Sequence, residues 1–137
     1  MKTLLPEGWP RPSGYANGIM AEGRMVFVAG QIGWTPDGVF EQDNFLGQLK
    51  QTLLNTLAVL AEGGAGPEHI TRMTWYVIDR DEYLANVRGM GQIWREVMGK
   101  NYPAMACVAV TGLMEPKAKI EIETTAVLPS STKGIMP

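Results

Sequence analysis

The chain of 137 residues holds one cysteine, Cys107, and one histidine, His69. A thiol nucleophile needs a base within hydrogen-bond reach, so cysteine chemistry would require His69 to lie beside Cys107. His69 stands at a loop-to-strand boundary. Cys107 lies in the apolar run Ala106 to Val110, where a lone cysteine more often serves as a small buried hydrophobe. One cysteine allows neither an internal disulfide nor a multi-cysteine metal site. No cluster of histidine, cysteine and carboxylate has metal-ligand spacing, so no metal or cofactor is expected. The segment GQIG at Gly30 to Gly33 lacks the spacing and the following lysine of a phosphate loop, and no serine-nucleophile elbow is present. A carboxylate remains. In KIEIETTAV, Ile120 and Ile122 point to one face, Glu121 and Glu123 to the other. An acid in the middle of such a strand either faces water or lines a site.

The elements around these residues follow from periodicity. Residues 1–14, rich in proline and glycine, read as an irregular lead-in. Tyr15 to Ala21 can form a short strand, and Glu22-Gly23 a hairpin turn into a second strand, Arg24 to Ile32. Gly30, near that strand's end, marks either a bulge or the close approach of a ligand to the backbone. GWTPDG at Gly33 to Gly38 reads as a turn. Its Trp34 is a lid over a core edge or part of a pocket wall, with the lid preferred. From Gln42 to Glu62 the spacing of Leu46, Leu49, Leu53, Leu57 and Leu60 predicts a helix capped at Asp43 or Asn44 and ended by Gly63-Gly64.

His69 to Asp79 alternates as a third long strand. Glu82 to Met98 predicts a second helix with Tyr83, Val87, Met90, Trp94 and Val97 inward, stopped by Gly99. Gly89 and Gly91 weaken that helix and suggest close packing, against another subunit among other choices. The run Ala106 to Val110 is expected to be buried on both sides and joined by a loose hairpin, Thr111 to Ala118, to the strand that carries Glu121. Residues 129–137 form a tail of little expected order. The order β-β-α-β-α-β-β implies a single α+β domain with two helices on one face of one sheet. The other sheet face is also apolar in part, and a homo-oligomer is the natural way to cover it.

Composition narrows the function classes. The formal net charge is −2, with no basic cluster, which argues against a nucleic-acid surface. The N-terminus lacks the apolar stretch of roughly 7–15 residues that a signal peptide needs. No window reaches the ~18 apolar residues of a membrane span. A cytoplasmic protein without a membrane partner is expected.

Taken together, several segments carry a resemblance. GYANGI at Gly14 to Ile19, FVAGQI at Phe27 to Ile32 and AEGGAGPEHI at the first helix end come first. RMTWYVIDRDEY, YPAMACVAV and KIEIETTAV follow. In order and spacing the chain resembles the Rid family (reactive intermediate deaminases, or YjgF-like proteins) from about Gly14 to Val127. The resemblance implies a chorismate-mutase-like fold and a homotrimer whose small-molecule sites lie in clefts between subunits. It also implies hydrolysis of reactive enamines and imines to carbonyl compounds and ammonia. Carried over by position, it places Tyr15, Gly30, Cys107 and Glu121 at the site. Gly30 would allow close approach, Cys107 would line the pocket, and Glu121 would hold or activate water.

Two positions depart. The family's deaminases read Pro-Ala-Arg-Ser where this chain has Pro103-Ala104-Met105-Ala106. That arginine grips a substrate carboxylate by a bidentate contact, which Met105 cannot make. Arg88 stands near a position where the family often has asparagine; it is either an exposed helix cation or a replacement anion contact. The readings that follow are an imine deaminase of altered specificity, a trimeric binding protein without chemistry, and, weakest, an endoribonuclease or translation inhibitor.

Overall fold

The computed structural model describes residues 1–130; the remainder of the expected tail, 131–137, lies outside the described residues. A four-stranded mixed sheet forms one layer. Its strands are β3 (Arg24–Ile32), β4 (Ile70–Val77), β5 (Ala104–Ala109) and β6 (Ile120–Leu128), in the order β3-β6-β4-β5. Only β4 and β5 run parallel. The second layer is helical: α1 (Phe45–Glu62), α2 (Arg80–Ala85) and α3 (Val87–Met98). The core between them is apolar. Leu49, Leu53 and Leu60 of α1 and Met73, Ile120 and Ile122 of the sheet are wholly buried, each side chain stabilising by roughly 1.5–3 kcal/mol.

β3 has the boundaries its apolar run predicts, and α1 has the predicted end. Of the two candidate caps, Asn44 is the one used: its Oδ1 accepts from the Gly47 N–H at 2.7 Å, which stabilises the helix by about 1 kcal/mol. The leucine stripe is half the story, because Gln48, Thr52 and Thr56 are buried beside it. Both threonine hydroxyls donate to helix carbonyls one turn back. Gln48 does more. Its Nε2 donates to the Gln42 and Lys117 carbonyls and its Oε1 accepts from the Lys119 N–H at 2.8 Å. Asn55, also on α1, donates to the carbonyls of Ile32 and Trp34. These two amides tie the end of β3 and the start of β6 to one helix.

Five expectations are corrected. Lys2–Leu4, inside the supposed irregular lead-in, is a strand (β1) that pairs with β2 (Gly18–Met20) in a separate two-stranded ribbon. β2 therefore makes no hairpin with β3 across Glu22-Gly23. The second helix is broken: Asn86 ends α2, its Nδ2 donating to the Glu82 carbonyl at 2.7 Å, and α3 begins at Val87. A side-chain amide that bonds its own backbone offers the chain an alternative to continuing the helix. β5 is an edge strand, half-exposed at its start and exposed from Cys107 to Ala109, not a strand buried on both sides. β4 lies between β5 and β6, so Thr111 to Ala118 is no hairpin. The apolar run looked central because apolar content reports burial only where a layer exists to cover it, and this chain supplies none there.

Gly89 does mark close packing, but within the chain: a Cβ there would sit 2.5 Å from Leu46 Cδ1 of α1. Trp34 is half-buried in its turn and tilts against Phe40, with 5.8 Å between ring centroids. No helix among the described residues is long and apolar enough to cross a membrane.

Candidate functional site

Met105 and Cys107 alternate onto the helix-facing side of β5, in register with Met73 and Trp75 of β4. Beyond that edge the chain returns: Ala16 bridges Ala104 in parallel, its N–H donating to the Pro103 carbonyl at 2.9 Å. This brings Tyr15 alongside. α3 forms the opposite rim. Between them lies an open pocket of about 810 Å³, whose walls include Tyr15, Arg88, Met105 and Cys107. Four of the six candidate residues thus share one cavity.

The cavity has an aromatic wall. Trp94 stacks on Tyr102 with centroids 6.1 Å apart and packs at 6.3 Å on Trp75. The alternation of β4 and the α3 stripe mark both tryptophans as core, and they are: Trp75 and Trp94 are 4% and 5% exposed. Their remaining edges line the pocket. The Trp75 Nε1–H is buried and has no acceptor among the described residues. Arg95 also lines the pocket and was missed. The available signal was its spacing from Arg88, seven residues on one helix, which returns to the same face.

Cys107 has a polar neighbour, and it is Tyr83 rather than His69. Burial pushes the Cys107 thiol up, partly offset by its hydrogen bond with Tyr83. The Tyr83 hydroxyl is raised in turn, first by burial and then by Cys107. A thiol held neutral is a poor nucleophile. His69 is committed elsewhere: its Nδ1 accepts from the Gly66 N–H at 3.0 Å and caps a short 3₁₀ turn, Pro67–His69. The structure does not form the Cys-His pair.

Gly30 and Glu121 form a second cluster, on the other side of the sheet. Glu121 is in register with Tyr76, one residue out of phase with the Ile122–Trp75–Cys107 row that faces the helices. β3 bulges between Val28 and Gln31. The Glu121 carboxylate rests on this bulge, where a Cβ at Gly30 would lie 1.9 Å from Oε2. Of the two sequence readings of Gly30, the bulge is the one observed, and the group closest to its bare Cα is an acid of the same chain. Beside it the Tyr76 hydroxyl donates to Glu123 Oε1. That bond raises the Tyr76 hydroxyl most, with smaller contributions from burial and the charges of Glu123 and Glu121, against Arg72. Among the described residues no group of three or more histidine, cysteine and carboxylate side chains could hold a metal ion.

A family model described as endoribonuclease L-PSP matches residues 10–128. A solved Yersinia pestis protein of the Rid family superposes with a TM-score of 0.82 at 31% identity, covering 93% of this chain and 98% of that one. The chain belongs to the Rid family. Among Rid relatives, a RutC family protein of Synechocystis is 35% identical across 95% of this chain and 98% of its own length. A Salmonella typhimurium 2-iminobutanoate/2-iminopropanoate deaminase is 32% identical across 92% and 97%. The YjgF-like fold, a small α+β domain with its helices on one face of a mixed sheet, is the one observed.

Proposed function

We propose that this protein is a Rid-type deaminase that hydrolyses a reactive imine or enamine to a carbonyl compound and ammonia, with a specificity altered by Met105. The observation that carries the reading is Glu121 seated on Gly30. A carboxylate is brought onto a bulge that admits no side chain, and among the described residues it accepts no side-chain hydrogen bond that would occupy it. In this reaction water adds to the imine carbon while Glu121 takes its proton. The carboxyl group returns that proton to nitrogen; the hydroxyl proton of the tetrahedral carbinolamine then passes through Glu121 to the amine, the C–N bond breaks, and a carbonyl compound and ammonia result. Tyr15, Met105 and Cys107 shape the pocket, and Arg88 meets any anionic group.

One chain keeps the pocket and the carboxylate on opposite sides of its sheet. In a homotrimer, Glu121 of one protomer would complete the pocket of its neighbour and the exposed sheet face would be covered; Phe27 on that face is 70% exposed. A monomeric mass at micromolar concentration would overturn the trimer. For the chemistry, the test is ammonia release from 2-imino acids generated by an amino-acid oxidase. Turnover of larger imines with little gain on the smallest ones is the expected result. No acceleration on any imine would leave the second reading, a ligand-binding trimer, which Met105 favours by removing the usual carboxylate grip. A ribonuclease, the activity in the family's description, would need an acid-base pair at one phosphate. His69 is tied into its turn, and the pocket lining contains no carboxylate among the described residues.

A further inference from the structure

The chain is net acidic, with 14 carboxylate side chains against 12 lysines and arginines. Yet among the described residues the only charged ones lining the large pocket are two arginines, Arg88 and Arg95. Neither makes a salt bridge among the described residues, whereas the nearby acids Glu96 and Glu82 are taken by Lys50 and Lys119. Residues 88, 91 and 95 are spaced three and four apart and so share one face of α3. Straight out from the helix, the two cations would stand two turns, roughly 10 Å, apart. Arg95 Nη1 lies 3.5 Å from where a Cβ on Gly91 would be. Its guanidinium has folded back by one turn, over the bare backbone of Gly91 and towards Arg88. Two unpaired cations on one helix face repel each other, and an anion bound between them relieves that cost.

We propose that Arg88 and Arg95 form a cation clamp on α3 for the acid group of a substrate whose other end is aromatic or similarly broad and apolar. The substrate class rests on the imine-hydrolase reading; the clamp does not. A guanidinium fork matches the two oxygens of a carboxylate. Across from it, Trp75, Trp94 and Tyr102 form a continuous aromatic wall, and Met105 adds a polarizable thioether suited to a ring. At about 810 Å³ the cavity falls in the range of pockets for drug-sized ligands, far beyond what a three-carbon imino acid fills. The anion contact has thus moved from the strand to the helix, and the vacated strand position has become part of the apolar wall.

The probe is 3-phenylpropanoate, a stable acid with a ring, followed by the fluorescence of the wall tryptophans Trp75 and Trp94. It should bind about tenfold or more tightly than either propanoate, which lacks the ring, or 3-phenylpropan-1-ol, which lacks the charge. Arg88→Met and Arg95→Met should each weaken it about 5–10-fold, and the double variant should bind it no better than the alcohol. Unchanged alcohol binding in the double variant would show the pocket intact and assign the loss to charge. Equal binding of acid and alcohol to the unaltered protein, or unchanged acid binding in the double variant, would overturn the clamp. Ammonia release from the imine of phenylalanine separates the two claims. If the arginine dependence of binding holds but no imine is turned over, the hydrolase reading fails and the clamp stands. If the double variant turns that imine over with unchanged KM, the clamp fails and the hydrolase stands.

Discussion

At the β5 end, the helix-facing side of the sheet presents Trp75, Met105 and Cys107 below the arginines of α3. At the β3 edge, the other side presents Glu121, Glu123 and Tyr76 around a bulge. The first region has shape, apolar surface and positive charge, but no acid and no free base. The second has a carboxylate in a fixed place, but little enclosure. On the proposed reading, affinity and reactivity are built separately. What the contrast then teaches is that one chain would hold two half-sites, neither of which explains the whole. The division also suggests how specificity can change without touching the chemistry: Met105 and Arg95 belong wholly to the first region, Gly30 and Glu121 wholly to the second.

The sharpest way to break the comparison is to remove the reactive half alone. Glu121→Gln should lower kcat for imine hydrolysis by about 10²–10⁴-fold while the arginine pocket still binds 3-phenylpropanoate. Loss of both together would mean that the regions are not separable. Gly30→Ala acts on the same half by displacement. Its Cβ would overlap the Glu121 carboxylate, and a reacting group misplaced by an ångström costs on the order of 10²-fold. A kcat unchanged by that substitution would show that Glu121 need not rest where it does.

Met105→Arg tests the binding half. Restoring a charge-assisted contact contributes about 1.5–3 kcal/mol, so KM for small 2-imino acids should fall by roughly 10–100-fold. A KM that stays put in a normally folded variant would mean that the strand position no longer addresses the ligand. The smallest effect concerns Cys107. Its raised thiol holds fewer thiolates at pH 8 than free cysteine does, so iodoacetamide should alkylate it more slowly, with the rate rising at higher pH than usual. The sign for stability is the same. Protection of the neutral thiol by folding is complete below the ordinary thiol pKa and is lost as pH rises through the shifted one. Alkylation faster than that of free cysteine would reverse the assignment and reopen nucleophilic chemistry.

Periodicity made much of this molecule legible. α1 and β4 show clean apolar spacing because each packs one face against a layer of the same chain, whereas the unbroken apolar run of β3 reads as a central strand although β3 is an edge strand with Met25 and Phe27 exposed. The grouping of Tyr15, Met105 and Cys107 followed from resemblance and not from spacing, since it depends on Ala16 returning to Ala104 from far away in sequence. The errors fall where local pattern and non-local pairing disagree. β5 and β6 are consecutive and both apolar, which suggests a hairpin, but β4 lies between them. Gln48 is polar, so no apolar stripe would include it, yet its three hydrogen bonds justify its burial. Arg95 was hidden because a lone helix arginine reads as solvent-exposed until a second cation on the same face is noticed.

The strand order has a consequence for biosynthesis. β6 is the last of the described strands in sequence, yet it sits between β3 and β4, which have no register with each other. While residues 120–128 remain within the ribosome, β3 has no strand in the main sheet to pair with, and β4 has only β5. The nascent chain must therefore carry an open sheet seam between β3 and β4 until β6 is available. Closing a sheet by insertion of its final strand is a long-range, late step, and such chains fold slowly and expose edges in the meantime.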